Sequence, residues 1–278
     1  MLGAILGDIV GSTYEFANTK DYNFDLFPAG SNYTDDSVLT VAVADAILQK
    51  VDYGAMIREW ALRYPHPKGA YGNSFKRWMH ADEIKPYGSY GNGSAMRVSP
   101  VGWLFDKEQT VLNEARKSAS CAHNHPEGIK GAQATAIALY FARKGKEKLF
   151  IRQYITAKFG YDLHKTVDEI RKTYLYNESC QGTVPEALIC FFESNSFEDA
   201  IRKAISIGGD SDTIGAITGG IAEAFYDIPV ELANKARSYL PNDMLEILKL
   251  SGEKTHPLAI DLDADTKRLR ERFRKLKK

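Results

Sequence analysis

The sequence predicts an all-α chain, folded as a single compact helical domain. Three observations carry the prediction. Apolar residues recur three and four apart in segment after segment. No run of alternating apolar and polar residues is convincing as a strand. Glycines recur every fourth residue in two of the helical segments, which lines them along one helix face.

The elements follow in chain order. Leu2, Ile5, Leu6 and Ile9 lie at helical spacing, and Gly3, Gly7 and Gly11 form a stripe on the same segment. Val38, Leu39, Ala42, Val43 and Ala46 mark a second helix. The stretch from Tyr64 to Met96 is rich in Gly, Pro, Tyr and Asn and weakly periodic, so it reads as long functional loops. Ala132 to Ala142 is an Ala-rich buried helix. Pro185 to Phe192 is another, with its proline near the start, where the missing N–H costs least. Phe197 to Ile207 follows, then Ile214 to Phe225, stopped before Pro229 and carrying Gly215 and Gly219. Ala233 to Tyr239 and Met244 to Leu250 are short helices. Glycine inside a helix costs about 1 kcal/mol against alanine, so the stripes imply compensation by close backbone approach. The domain is expected to span residues 1–262. Residues 263–278 are dense in charge, with Leu269, Phe273 and Leu276 among the basic residues, and read as a surface helix with a solvated face.

The chain has 278 residues, enough for one large domain, and its Lys plus Arg equal its Asp plus Glu. With no global basic field, nucleic acid is not expected as a partner, although a local basic patch stays open as an alternative. Cys121, Cys180 and Cys190 have no metal-ligand spacing and make no disulfide framework, which fits a reducing cytoplasm. The apolar start of the chain lacks a basic region and is interrupted by Asp8, so it does not read as a signal peptide. No apolar run is long enough to span a bilayer, so no membrane association is expected.

The chemistry concentrates in two acidic motifs far apart in the chain. One is Thr34-Asp35-Asp36-Ser37; the other is Asp210-Ser211-Asp212-Thr213, led in by Gly208-Gly209. Each sits where a helical pattern begins, so each would serve as an N-cap. A cap, however, needs one acceptor, and these motifs supply several. If folding brings them together, four carboxylates share one small volume and need cations to stay ionised. All-oxygen ligands select a hard ion, Mg²⁺, Mn²⁺ or Ca²⁺, rather than zinc. Four negative charges match two divalent ions, and two-metal sites are commonly hydrolytic. Glu15 falls one four-residue step beyond the glycine stripe and Asp8 one residue off it; either carboxylate would be placed to orient water, accept a proton or join the ligands.

Two further segments are candidates for binding. Tyr87-Gly88-Ser89-Tyr90-Gly91-Asn92-Gly93-Ser94-Ala95-Met96-Arg97 is glycine-rich enough to curl into an anion nest, with tyrosine faces for a base or sugar; it reads equally as a tight loop without a ligand. Cys121-Ala122-His123-Asn124-His125-Pro126 carries two histidines with no third strong zinc ligand nearby. His123 is read as a hydrogen-bonding or phosphate-contacting residue, and His125, beside Pro126, as structural.

These motifs occur in one order: Gly7-Asp8-Ile9-Val10-Gly11 with Glu15, the first acid motif, the Gly88 to Arg97 loop, His123 ahead of Gly128 to Ala132, and Gly208 to Ile214. In that order the chain resembles the ADP-ribosylglycohydrolase family, of the dinitrogenase-reductase-activating glycohydrolase and ADP-ribosylserine hydrolase type. The resemblance covers Met1 to about Pro229. It implies a helical fold with a dinuclear Mg²⁺ or Mn²⁺ cleft. It implies Thr34, Asp35, Asp36, Asp210, Asp212 and Thr213 as metal ligands, with Asp35, Asp36 and Asp210 also among the catalytic residues. Glu15 corresponds to a mobile-loop glutamate near the scissile bond. Ser89, Tyr90, Gly91, Asn92, Gly93 and His123 fall around the ADP-ribose. Ser37 and Ser94 stand where the family often has Thr and Gly, and neither change removes a ligand. The implied activity is hydrolysis of the glycosidic bond between ADP-ribose and a modified protein. Small conjugates such as O-acetyl-ADP-ribose are the alternative substrate, and a non-catalytic binder of this fold the remaining one.

Overall fold

The computed structural model describes residues 1–255. The predicted tail at 263–278, and the boundary before it, lie outside the described residues. Within them the chain is helical, with two isolated β-bridges and no strand. The helices are α1 Leu2–Gly11, α2 Asp35–Gln49, α3 Tyr53–Arg63, α4 Asn73–Met79, α5 Gly93–Met96, α6 Ser99–Leu104, α7 Glu108–Ser120, α8 Pro126–Arg143, α9 Lys148–Phe159, α10 Val167–Thr173, α11 Cys180–Glu193, α12 Phe197–Ser206, α13 Ser211–Glu223, α14 Val230–Arg237 and α15 Asn242–Thr255.

The centre is a pair, α1 and α13. All of α1 is buried, and α13 is buried from Ser211 to Ala222. A helix enclosed on all sides needs apolar or small residues around its whole circumference, and these two have them. Around the pair stand α2, α8, α11 and α12. The outer helices show the ordinary one-sided pattern: in α12, Phe197, Ala200, Ile201, Ala204 and Ile205 face inward while Glu198 and Arg202 pair on the other face.

The glycine stripes are the seam between the two central helices. A Cβ on Gly7 would lie 1.9 Å from the carbonyl oxygen of Gly215, and one on Gly3 would lie 2.4 Å from that of Gly219. The seam continues at Gly11, whose Cβ would meet the backbone of Asp212 at 2.5 Å. The compensation inferred for the helical glycines is therefore present, and it fixes one end of α1 against the start of α13.

Two expectations need correction. The Tyr64 to Met96 stretch is not loop throughout: it contains α4, which buries Phe75, Trp78 and Met79, and the single turn of α5. Pro185 does not open its helix. Ser179 caps α11 by accepting from the Gly182 N–H, and Pro185 lies inside the helix. Its preceding turn, Cys180 to Val184, is half polar and glycine-containing, which hid the true start.

Candidate active site

The site lies where α1 ends and where α2 and α13 begin. The chain enters α13 through Gly208 and Gly209, at φ +72° and +80°, a backbone region that residues with a Cβ avoid. Gly209 is doubly constrained, because a Cβ there would strike the Tyr174 ring. This turn sets Asp210 at the N-cap position and Asp212 in the first turn. Asp210 makes no side-chain cap; instead it accepts from the Asn92 amide at 2.7 Å.

At α2 the capping is done by Thr34, whose hydroxyl accepts from the Asp36 N–H. The same hydroxyl donates to Asp8 at 2.7 Å. Asp8 is fully buried and also accepts from the Thr34 N–H, the Ser37 N–H and the Ser37 hydroxyl. Asp8 is thus the pin that ties α1 to the first acid motif. Its position one residue off the glycine stripe pointed to this region, and its four donors are visible only in three dimensions.

Folding brings the two motifs together. The Thr213 hydroxyl donates to Asp36 at 3.4 Å. Carboxylate oxygens of Glu15, Asp210 and Asp212 lie within 4.8 Å of one another. Asp36, Asp210, Asp212, Thr34 and Thr213 are all buried; Asp35 is partly so. Burial pushes the acids up, and their mutual repulsion adds to it. Asp35 and Asp36 stand well above the usual carboxylate range, with Asp212 the main charged neighbour of each. Asp212 is raised by burial and then by Asp210. Asp210 is pushed up to about 6 by burial, against hydrogen bonds from Asp212 and Asn92. Asp8 is pushed up to about 6 by burial, against the bonds from Ser37 and Thr34. Glu15 is pushed up to about 8, by burial first and Asp212 next.

No ion pair among the described residues reaches any of these acids. Lys68 lies near enough to feel Asp212, Glu15 and Asp8, but its ammonium donates to the Gly30 carbonyl at 2.6 Å. Among the described residues, Asp36 Oδ2 and Asp212 Oδ1 are buried without a hydrogen-bond partner. Buried carboxylate oxygens left bare, in a cluster of oxygen donors with no basic partner, fit hard divalent cations.

Glu15 stands on a turn beyond α1 rather than on a helix. Asn18 clamps that turn to the α13 entry: its amide donates to the Glu15 and Gly209 carbonyls, and its side-chain oxygen accepts from the Gly209 N–H. The Tyr176 hydroxyl donates to the Glu15 carboxylate at 3.4 Å, and the Tyr176 ring stacks with Phe16, which is 75% exposed. Neither Asn18 nor Tyr176 lies in a recognisable motif, and so sequence reasoning passed over both.

The glycine loop lies beside the acids. Asn92 is buried and its amide is committed to Asp210 and Thr183, so it supports the acid cluster. The Gly88, Gly91 and Asn92 N–H groups are engaged by Asn124, Ser89 and Glu178. These three are therefore closed to an anion. Tyr90 is 53% exposed, edge-on to His125. His125 caps α8 by accepting from the Glu127 N–H, the structural role expected of it. His123 is buried behind Gly91 and Gly93. A cavity of about 730 Å³ opens at the far end of the central pair, lined by Met1, Leu2, Trp103 and Glu223, well separated along α1 and α13 from the acids.

No helix among the described residues is long and apolar enough to cross a membrane. The chain is similar to ADP-ribosylhydrolase ARH3 of Bos taurus, 26% identical over 88% of this chain and 89% of that protein. It is similar to the ADP-ribosyl-[dinitrogen reductase] glycohydrolase of Rhodospirillum rubrum, 27% identical over 82% of this chain and 85% of the relative. ADP-ribosylarginine hydrolase Tri1 of Pseudomonas putida is 26% identical over 82% and 70%. A solved chain described as an ADP-ribosylglycohydrolase-related protein complex superposes with a TM-score of 0.69 at 23% identity, over 92% of this chain and 96% of that one. The sequence profile of the ADP-ribosylglycohydrolase family matches residues 1–270, nearly the whole length, and with the same helical fold this places the chain in that family.

Proposed function

We propose that this protein is a Mg²⁺- or Mn²⁺-dependent hydrolase that cleaves the glycosidic bond between ADP-ribose and a modified protein. One observation carries the reading: two acid motifs, joined by the Thr213–Asp36 hydrogen bond across 177 positions, meet in a buried cluster that, among the described residues, has bare oxygens and no ion-pair partner. The family membership and the relatives named for ADP-ribose hydrolysis support the substrate class.

Thr34, Asp35, Asp36, Asp210, Asp212 and Thr213 would hold the two cations. Bound there, the cations supply Lewis-acid polarisation of ribose hydroxyls and water. The remaining chemistry belongs to the chain. Cleavage at the anomeric carbon passes through an oxocarbenium-like state, and the surrounding carboxylates favour its developing positive charge. Glu15, whose carboxylate lies within 4.8 Å of those of Asp210 and Asp212, would exchange a proton with water or the leaving group, and its raised pKa keeps that proton available near neutral pH. Asn92 holds Asp210 in position. Ser89, Tyr90, Gly91, Gly93 and His123 flank the acids and receive the ADP-ribose.

The test is release of ADP-ribose from proteins modified on serine or arginine, from O-acetyl-ADP-ribose and from ADP-ribosylated nucleic acid, each with and without EDTA. Release from a modified protein, lost with EDTA and restored by Mg²⁺ or Mn²⁺, is expected. Native rates in EDTA, or in the Asp210→Asn, Asp212→Asn double variant, would overturn the two-metal reading. Release from the acetyl ester alone would transfer the assignment to small conjugates.

A further inference from the structure

Arg97 is the largest charged side chain in the interior, at 1% exposure, and no carboxylate pairs with it among the described residues. Its Nη2 reaches the Ser118 carbonyl at 3.3 Å, the Cys121 sulfur at 3.9 Å and His123 Nδ1 at 3.4 Å. Its Nε and Nη1 have no hydrogen-bond partner among the described residues. An unpaired buried guanidinium is costly, and its placement against one ring nitrogen asks for a reason.

A guanidinium carries only donors. In its contact with Arg97, His123 Nδ1 must therefore be the acceptor and carry no proton. Burial and the Arg97 charge both disfavour the imidazolium. The single proton of the neutral ring then sits on Nε2. That nitrogen lies 3.0 Å from where a Gly93 Cβ would be and 3.8 Å from where a Gly91 Cβ would be. The two absent side chains leave it open toward the glycine loop. The Gly88, Gly91 and Asn92 N–H groups of that loop are already engaged, so the imidazole supplies a donor that they cannot.

We propose that Arg97 is a positioning residue, which fixes His123 as the Nε2–H tautomer so that a donor faces the Gly91–Gly93 loop, where it meets a phosphate oxygen of ADP-ribose. The inference rests on the ADP-ribose reading of the site for its ligand, but the tautomer itself does not depend on that reading.

The experiment uses ¹⁵N-histidine-labelled full-length protein and long-range ¹H–¹⁵N spectra, with ADP-ribose affinity by calorimetry. The parent is expected to show His123 neutral and protonated on Nε2 at and below the ordinary imidazole pKa. Arg97→Met, of similar length but without a donor, is expected to mix the tautomers and weaken ADP-ribose binding about tenfold. Arg97→Lys keeps a donor and is expected to restore the tautomer. In the cycle with His123→Ala, Arg97→Met should add little further loss, because both changes remove one interaction. An Nδ1–H tautomer or an imidazolium in the parent at pH 6 overturns the proposal. So does a folded Arg97→Met variant with unchanged tautomer and affinity. If Arg97→Met does not fold, the parent spectrum and Arg97→Lys decide. A parent that shows the Nε2–H tautomer but binds no ADP-ribose overturns the ligand assignment and leaves the Arg97–His123 relation standing.

Discussion

Gly7→Ala tests the seam on which the site is built. The new Cβ would sit 1.9 Å from the Gly215 carbonyl oxygen, against an ordinary contact of about 3.4 Å, so the helices must separate locally by about 1.5 Å. The obstacle is backbone, which cannot rotate away. Overpacking of this kind costs about 3 kcal/mol, and alanine returns about 1 kcal/mol through its better helix propensity, for a net loss of about 2 kcal/mol. For a chain of this size that is a fall in Tm of about 5 °C. The damage reaches the site, because Asp8 is the next residue and Gly11 packs on Asp212. Melts with and without Mn²⁺ should therefore show both a lower Tm and a smaller Mn²⁺-induced rise. Gly72→Ala is the control: nothing lies within 4 Å of its Cβ and its φ is −58°, so its Tm should match the parent. A Gly7→Ala protein that melts within 1 °C of the parent (about 0.5 kcal/mol on the same scale) and responds equally to Mn²⁺ would refute the backbone-to-backbone seam.

The remaining predictions concern the acids. Asp8→Asn keeps the size but replaces acceptor oxygen by a donor facing Thr34 and Ser37, at a cost of about 2 kcal/mol, read as a lower Tm and at least tenfold weaker Mn²⁺ binding. Glu15→Gln should lower turnover about 10²- to 10⁴-fold while raising the Tm of the metal-free protein only above about pH 8, where Glu15 would otherwise ionise against Asp212 and Asp8; an unchanged rate excludes Glu15 from proton transfer. Asp8 and Asp210 have folded pKa values raised to about 6, so their contribution to stability is fully present below their unfolded value of 3.8 and is lost as pH rises through about 6. Each contribution is about 3 kcal/mol at most. The gap in Tm between metal-free and Mn²⁺-loaded protein should accordingly widen from pH 5 to 7.5, and a constant gap would contradict the buried acid cluster.

The sequence made the helical class and the central pair legible because both leave local traces. Apolar periodicity marks α1, α2, α8, α12 and α13, and a four-residue glycine repeat has few physical uses inside a helix. The acid motifs were legible because each holds more acceptors than capping needs. What stayed hidden is supplied by residues that look ordinary in sequence. Asn18 is one polar residue in a polar turn, and only the fold brings Gly209 to its amide. Tyr176 lies in a segment without periodicity, and its relation to Glu15 spans 161 positions. Asn92 stood out in sequence as a binding candidate, whereas its hold on Asp210 depends on how the α5 turn meets α13. The start of α11 was missed because Pro185 is the strongest local signal there, while Ser179 is an inconspicuous cap.

The capping and metal readings of the acid motifs also turn out not to exclude each other, and the division of labour between residues separates them. Thr34 caps α2 with its own hydroxyl and is held by Asp8. That leaves Asp35 and Asp36 free of any capping task. Asp210 occupies the cap position of α13 without capping it, and takes its hydrogen bond from Asn92 instead. If these carboxylates served only helix stability, exposed caps would serve better, since the helix-end effect is at most about 2 kcal/mol and burial with like charges offsets it. Instead they are buried together, two of their oxygens lack a hydrogen-bond partner among the described residues, and burial and mutual repulsion push their pKa values upward. Such an arrangement weakens the metal-free fold and persists where a ligand restores the balance. The glycine seam beneath it is the structural counterpart: the close packing of α1 on α13 keeps the end of one helix against the start of the other, so the acids stay assembled, and they are neutralised by protons at low pH and by cations above it.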